Sequence, residues 1–396
     1  MSVLKFGVVG TVRGMTFIQL LQGMGTVAQL SAVCETDVEK AQALRPQLPA
    51  AVGIYSDYDA FLDSGLDAVI LCNFFHEHAQ LAIRAAAKGI HVLSDTTAAP
   101  TMAECVQLCE AVEKSGIKYM LGANGPYKAC VQYMKQQLKA GKLGRTFYAE
   151  AEYLHDTPNA APYEDSSTHW RRLMPGTYYN MHTLGTLMFI TETLPKKVTG
   201  RVIRAADKAK QHNRLIDHDG AKMLCEMDNG ATFDVTGCCY FGPTSKWYRL
   251  IGENGVLETQ RYNEKKVLFA SADAHYTPTQ SSAAPVECCP SYDELGMRIG
   301  SDLAGVSSTG HGGIDFWMLL HFIRYLQGTY EPFFNVYRSV ALSAAAILAW
   351  RSILDGCREY EIPDFTCKEV RQQYANDFLS PFAPEGSSDL ISRIAP

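Results

Sequence analysis

Tyr179 and His182 stand three residues apart in the run Thr177-Tyr178-Tyr179-Asn180-Met181-His182-Thr183-Leu184-Gly185. On a helix that spacing puts both side chains on one face. Histidine titrates near neutral pH and suits proton transfer from a hydroxyl, so the pair reads as general acid–base chemistry. A second group surrounds His311, which lies between Gly310 and Gly312-Gly313 just before a helical pattern. Glycines there let the backbone approach a ligand and adopt positive φ. His311 therefore reads as a substrate contact, with Asp315 as a cap or local packing residue at the helix start. Two polar clusters precede Tyr179: His155-Asp156, and His169-Trp170-Arg171-Arg172. His155, Trp170 and Arg171 are expected to line a polar pocket. Imidazole and carboxylate also suit zinc or manganese, but the spacing matches no recognised metal pattern, and no metal is expected.

A different chemistry opens the chain. The apolar run 6–9 leads into Gly10-Thr11-Val12-Arg13-Gly14, and a helical pattern follows. A dinucleotide fold places glycines at such a turn so that a pyrophosphate can sit on the helix N-terminus. Val12 occupies the place of the second glycine, where a β-branched side chain would push the cofactor outward or close the site. Glu35 ends the second strand pattern, 25 positions after Gly10. An acidic residue about 20 residues on binds a ribose 2′-hydroxyl and repels a 2′-phosphate, which favours NAD over NADP.

The elements that position these residues fall into two sets. Apolar runs at 6–9, 30–34, 66–72, 91–94 and 119–121 alternate with amphipathic stretches at 14–24, 38–48, 78–88 and 102–115, which predicts a parallel doubly wound sheet. After a helix at 129–140 the pattern changes to strands at 147–154, 198–203, 222–227, 232–240, 247–251 and 256–259. These predict a mostly antiparallel sheet with turns at Asp228-Asn229-Gly230 and Glu253-Asn254-Gly255. Helices are expected at 314–326 and 336–355, and a long loop at 272–290. The fold class is α/β, with a dinucleotide-binding Rossmann domain over 1–123 and a substrate-binding and oligomerisation domain over 124–396.

Bulk properties exclude other classes. A chain of 396 residues with a formal net charge of -6 and no long basic run is not expected to bind nucleic acid. Its 12 cysteines form no CxxC pair and read as reduced, mostly buried thiols. No signal-peptide pattern precedes the first strand, and the apolar run 340–350 is too short to span a bilayer, so the chain reads as cytoplasmic and without a membrane partner.

Over nearly its whole length the chain resembles the Gfo/Idh/MocA family of sugar oxidoreductases. The resemblance rests on the first strand with its Gly10/Gly14 turn, on Val33-Cys34-Glu35, and on 66–72 followed by Asn73-Phe74-Phe75-His76-Glu77-His78. It also rests on His91-Val92-Leu93, and on Gly141-Lys142-Leu143-Gly144 before the strand 147–154. It implies a Rossmann domain, a C-terminal α/β domain with a large open sheet, an active site between them and an oligomer formed through the sheet, a homodimer or homotetramer. Asn73, His78, Asp95 and Thr96 would then join Gly10, Thr11, Val12, Arg13, Gly14 and Glu35 at the cofactor, and Asn124 would contact nicotinamide or substrate. One departure is large. The family usually carries Glu-Lys-Pro after His91-Val92-Leu93, whereas this chain reads Ser94-Asp95-Thr96-Thr97, with Thr96 in the lysine's place. Threonine supplies neither a cation nor a tunable base.

The Tyr179 to Gly185 segment and Gly310-His311-Gly312-Gly313-Ile314-Asp315 resemble, in the expected order, segments of the family's NAD-dependent glycosidase branch, typified by α-N-acetylgalactosaminidases. That branch implies oxidation of a ring hydroxyl by NAD⁺, removal of the acidified neighbouring carbon-bound proton, elimination of the aglycone, addition of water and return of the hydride. Tyr179 and His182 would be the base and hydroxyl-orienting pair, with Tyr248 near the substrate. The expected function is an NAD-dependent oxidoreductase acting on a ring hydroxyl of a sugar or glycoside. A simple sugar or inositol-like polyol dehydrogenase and a non-catalytic NAD- or sugar-binding regulatory protein are the alternatives.

Overall fold

The computed structural model describes residues 3–155, 170–205, 215–239, 241–272, 276–277, 280–281 and 285–396. The chain divides into two compact units, the first made of Met1–Asn124, Ile299–Val340 and Phe365–Phe378, the second of Gly125–Arg298, Ala341–Asp364 and Leu379–Pro396.

In the first unit, β1 (Leu4–Val9), β2 (Ala28–Cys34), β3 (Gly53–Tyr55), β4 (Ala68–Leu71), β5 (His91–Ser94) and β6 (Tyr119–Leu121) form one sheet in the order β3-β2-β1-β4-β5-β6. Every pairing in it is parallel. The strands are short continuous apolar runs because both faces are covered: all four residues of β4 are buried. Helices α1 (Met15–Gly23), α2 (Val38–Leu44), α3 (Tyr58–Leu62), α4 (His78–Ala87) and α5 (Met102–Ser115) connect them. Local chemistry sets their ends. The Asp37 side chain accepts from the N–H groups of Glu39 and Lys40 at the start of α2. Thr101 caps α5 through the N–H of Glu104, and α5 stops at Gly116 with φ 68°. The order places the reversal of strand succession between β1 and β4, the point where open α/β sheets bind ligands beyond the strands' carboxyl ends.

Two later pieces of chain complete this unit. The helix Ile314–Leu326 brings Phe322 edge-on to Phe6 of β1, with ring centroids 6.1 Å apart. The short helix Lys368–Arg371 carries Arg371, 1 % exposed, which donates at 2.6 Å to each carboxylate oxygen of Glu113 on α5.

The second unit carries α6 (Ala129–Lys139) and a nine-stranded sheet. Its main strands are β7 (Thr146–Leu154), β8 (Pro195–Ile203), β9 (Gly220–Met227), β10 (Thr232–Thr236), β11 (Ser245–Gly252), β12 (Gly255–Gln260) and β13 (Asn263–Ser271). Among the described residues, only β7 and β10 pair as parallel strands in this sheet; its other strand pairings are antiparallel. The turn Asp228-Asn229-Gly230 joins β9 to β10, with Gly230 at φ 80°. The segment 272–290 is not wholly a loop. It holds the two-residue pair β14 (Tyr276–Thr277) and β15 (Gln280–Ser281), and β16 (Val286–Cys288), which extends the large sheet beside β13. Strands of two or three residues are too short to show an alternation in sequence. The strand β17 (Tyr360–Glu361) closes the opposite edge against β8. Alternation along β7 buries Ala149, Ala151 and Tyr153 on one face. Its other face carries charge that is paired across strands, with Arg249 3.0 Å from Glu150 and 3.4 Å from Glu258.

Candidate active site

The candidate cofactor turn is built where β1 ends. Gly10 turns the chain with φ 79°, and a Cβ there would lie 2.8 Å from the Cα of Asn73. Only glycine lets the turn pass so close to the segment after β4. Gly14 is as constrained, since its Cβ would stand 2.0 Å from the Gly10 carbonyl oxygen. α1 has no side-chain cap and no acidic residue in its first turn. The Met15 and Thr16 N–H groups at its start donate to the carbonyls of Thr11 and Arg13 in the turn, at 3.0 and 3.4 Å. Val12 is 60 % exposed, so its isopropyl group is not folded into the turn. Glu35 is buried at the end of β2. One carboxylate oxygen accepts from the N–H (3.0 Å) and hydroxyl of Thr11, the other from the N–H of Asp37 at 3.1 Å. Asn73 donates to Glu77 at 2.8 Å. These features fit a dinucleotide: a glycine turn, an uncapped helix start and a fixed acid at the ribose position.

Arg13 is the centre of a buried ionic network. Its Nε donates to Asp95 at 2.9 Å, and its two terminal nitrogens bind both oxygens of Asp315 at 2.8 and 2.9 Å. The fully buried Asp315 also accepts from Asn124 Nδ2 at 3.2 Å and lies 2.6 Å from His311 Nδ1. Burial works against its charge, but the bonds from His311 and Arg13 outweigh it and hold the carboxyl well below the usual range. Among the described residues, Asn124 Oδ1 is a buried acceptor without a partner. The structure thus brings five expected residues together in the first unit: Arg13, Asp95, Asn124, His311 and Asp315. Asp315 is not a helix cap; it is the common acceptor of the group. Thr96 stands beside it, its N–H donating to Asp95 Oδ1 at 3.1 Å. His78 Nδ1 donates to the carbonyls of Asp95 (3.0 Å) and Thr97 (3.3 Å), and burial pushes its pKa down, so the ring is neutral.

The Tyr179–His182 segment lies in the second unit. The chain from Gly176 to Tyr179 is a 3₁₀ turn, Asn180 breaks it, and Met181–Gly185 forms a π-helical turn that runs into the helix Thr186–Thr191. A single regular helix does not therefore relate Tyr179 to His182. Their rings nevertheless meet, with centroids 5.1 Å apart. The segment is pinned at several points: Gly176 N–H donates to His218 Nε2 at 3.2 Å, Asn180 to the Leu342 carbonyl at 3.1 Å, and Thr183 Oγ1 to the Thr236 carbonyl at 2.5 Å. Tyr248, fully buried on β11, donates its hydroxyl to the His182 carbonyl at 2.9 Å. In this arrangement Tyr248 holds His182 in place.

Sequence reasoning passed over Tyr153. It projects from β7 with its ring 4.6 Å from His182, 6.0 Å from Tyr179 and 5.2 Å from His155. Burial, with Tyr179 close by, pushes its hydroxyl well above the ordinary tyrosine range. The available signal was strand alternation, which sets Tyr153 and His155 on one face. Arg171 lies over the rings of Trp170 and Tyr179, at 4.4 and 5.5 Å from their centroids. The expected cluster members Asp156 and His169 lie outside the described residues. Among the described residues no three His, Cys, Asp or Glu side chains are grouped to hold a metal ion, and no helix is long and apolar enough to cross a membrane.

Fold and site together define a nicotinamide-nucleotide oxidoreductase: a doubly wound cofactor unit, and a mixed-sheet unit carrying buried tyrosines and an imidazole. Sequence comparison agrees. Residues 4–123 match the oxidoreductase family with an NAD-binding Rossmann fold, residues 131–258 the GFO/IDH/MocA C-terminal domain, and residues 224–372 the C-terminal domain of glycosyl hydrolase 109. The chain belongs to the Gfo/Idh/MocA oxidoreductases, and its cofactor is NAD. It is 24% identical over 371 residues to a glycosyl hydrolase family 109 protein of Shewanella pealeana, covering 85% of this chain and 80% of that one. It is 24% identical over 402 residues to an alpha-N-acetylgalactosaminidase of Shewanella oneidensis, covering 92% and 86%. An Agrobacterium radiobacter oxidoreductase crystallised with NAD⁺, L-tartaric acid and magnesium shares the fold, with a TM-score of 0.71, 17% identity and coverage of 91% and 99%. So does the WlbA dehydrogenase of Bordetella pertussis, crystallised with NADH and UDP-GlcNAcA, with a TM-score of 0.70, 17% identity and coverage of 91% and 99%.

Proposed function

We propose that this enzyme uses NAD to oxidise a ring hydroxyl of a sugar or glycoside and, with a glycoside, returns the hydride after the aglycone has left, so that cleavage is redox-neutral. The observation that carries this reading is the match of residues 224–372 to the glycosyl hydrolase 109 C-terminal domain. The packed Tyr153, Tyr179 and His182 rings support it. In this reading residues 1–123 hold the cofactor, and residues 124–396 bind the sugar and join the chains of a homodimer or homotetramer.

NAD, when bound, accepts and returns a hydride at the sugar ring; the protein's own share is proton transfer and orientation. Glu35 holds the adenosine ribose hydroxyls, and the Gly10–Gly14 turn holds the pyrophosphate. His182 and Tyr179 orient the hydroxyl and take the proton from the neighbouring carbon, which a ring ketone makes acidic. Burial keeps the Tyr153 hydroxyl protonated, so it serves as a hydrogen-bond donor to developing negative charge rather than as a resting base. Tyr248 keeps His182 in register. Arg171 and Trp170 offer a flat cation–aromatic surface of the kind that suits a sugar face.

The test is turnover of p-nitrophenyl glycosides with NAD⁺ far below the enzyme's substrate concentration. Many turnovers per nucleotide without accumulation of NADH are expected. One NADH formed per sugar consumed would replace the glycosidase reading with a sugar or polyol dehydrogenase.

A further inference from the structure

Lys128 stands at the N-cap of α6, where its side chain makes no capping bond. Serine, threonine, aspartate and asparagine are preferred at that position, because their oxygens accept from the first free N–H groups of a helix. A cation there also meets the positive end of the helix dipole. Lys128 is buried as well, with 6% of its surface exposed. Capping, dipole and burial thus all oppose a lysine at this place. A residue that breaks local rules in this way marks a place where function requires it.

The Lys128 side chain runs toward β11 and β13 of the same unit. Its Nζ donates to Glu264 Oε2 on β13 at 2.5 Å and lies 5.5 Å from the centroid of the Tyr248 ring on β11. Burial works against the ammonium charge, but Tyr248 and Glu264 outweigh it, so Lys128 stays a cation. The Glu264 side chain is 42% exposed, so water screens the carboxylate while the ammonium acts in a dry surrounding. Tyr248 connects this cation to His182. It is fully buried, its N–H donates to Thr259 Oγ1 at 3.0 Å, and its hydroxyl donates to the His182 carbonyl at 2.9 Å. Burial pushes that hydroxyl up, so it stays protonated and donates, and Lys128 opposes part of the rise. A cation at the face of a phenol ring draws electron density from it and makes the O–H a stronger donor, the more so where water is excluded. The carbonyl that receives this bond belongs to the π-turn Met181–Gly185, and Thr186 Oγ1 reaches it more weakly, at 3.3 Å. A π-turn spaces its backbone bonds more widely than an α-helix and is rare, so a strong outside donor to one of its carbonyls helps to set its form.

We propose that Lys128 is a positioning residue for His182: its buried cation strengthens the bond from Tyr248 to the His182 carbonyl and so fixes the turn that aims the imidazole. This rests on the reading of function above, in which His182 handles a proton. The start of α6 supplies the charge, β13 its counter-ion and β11 the phenol that passes the effect on. The role needs no contact between Lys128 and sugar or nucleotide. Loss of the charge therefore leaves the binding of both in place and slows the steps in which His182 orients a hydroxyl or takes a proton.

Lys128→Met keeps the stem and removes the charge. Its kcat is expected to fall about tenfold, with KM for the sugar and NAD⁺ affinity within about twofold of wild type. Tyr248→Phe keeps the ring and removes the hydroxyl, and its kcat is expected to fall at least as far. The deciding variant is K128M/Y248F. If the cation acts through the hydroxyl, the double variant is no slower than Y248F alone. A lysine that only packs α6 against the sheet slows both backgrounds by the same factor, and that result would overturn the proposal, as would wild-type kcat in K128M. Should K128M not fold, Y248F still decides: wild-type kcat there breaks the only link from Lys128 to His182 that the proposal uses. A wild type that binds NAD⁺ but turns over no sugar or glycoside would overturn the functional reading and the role of Lys128 with it.

Discussion

Glu35 has both carboxylate oxygens engaged with backbone and hydroxyl donors of the cofactor turn and of the residue before α2, and it retains lone pairs for a diol. A hydrogen bond to a charged group contributes about 1.5–3 kcal/mol, and 1.4 kcal/mol is tenfold in affinity. Glu35→Ala is therefore expected to weaken NAD⁺ binding at least about tenfold and to narrow the preference over NADP⁺, both read by calorimetry. Tyr153→Phe keeps the ring contacts with His182 and removes only the hydroxyl. It is expected to lower kcat about 100-fold while leaving NAD⁺ affinity unchanged; an unchanged kcat would remove Tyr153 from the mechanism. At this scale the sequence was legible where partners lie close in the chain. Tyr179 and His182 do meet, but across a break between a 3₁₀ and a π turn rather than on one helix face as their spacing suggests, and Glu35 lies at the end of β2 as its distance from the glycine turn suggests. Arg13 and Asp315 pair across 302 positions, which leaves no local trace in the sequence, and Asp315 reads by sequence as a cap or local packing residue.

At the scale of elements, patterns long enough to repeat were readable and short ones were not. The helix over 314–326 and the runs of the parallel sheet follow from periodicity. The π-helical turn at Met181–Gly185 does not, because one widened turn alters no hydrophobic pattern. It is stabilised by tertiary bonds such as that from Tyr248 to the His182 carbonyl, and π-turns of this kind recur at functional sites. The short helix Lys368–Arg371 shows how such elements are held. The Arg371 pair, against opposing burial, holds the Glu113 carboxyl at about 2, below its ordinary 4.5. A carboxylate lowered in the folded state stabilises it fully above the unfolded pKa, and that stabilisation is lost as pH falls from about 4.5 toward about 2. Glu113→Gln is expected to cost about 2 kcal/mol at neutral pH and to flatten the decline of thermal stability between pH 5 and 3. Melting curves across that range check it, and an unchanged acid slope would show that the pair is not coupled to folding.

For the whole molecule, the division of labour follows from composition and topology together. A parallel sheet buried on both faces leaves its ligand crevice only at the strand ends, which is where the glycine turn, Glu35, Asp95 and Asn124 collect. The nine-stranded sheet has one apolar face and one face of cross-strand ion pairs such as Arg249 with Glu150. A homodimer or homotetramer is expected in solution by light scattering, and a monomer at all concentrations would contradict that proposal. The change in pattern after residue 123 was visible in sequence. The return of Ile299–Val340 to the compact unit that holds the cofactor turn was not, because its helix is buried continuously from Ile314 to Ile323 and shows no single apolar stripe to mark which unit it joins. That return is what brings His311 and Asp315 to Arg13.

We propose that this chain holds NAD at the Gly10–Gly14 turn despite Val12. It is tested most directly by releasing nucleotide from the purified, denatured protein and quantifying it, with NAD⁺ titration calorimetry on nucleotide-free protein. One NAD(H) per chain, or saturable binding that Glu35→Ala weakens, is the expected result. No released nucleotide together with no binding of NAD⁺ would contradict the account and leave a sugar-binding regulatory protein in its place.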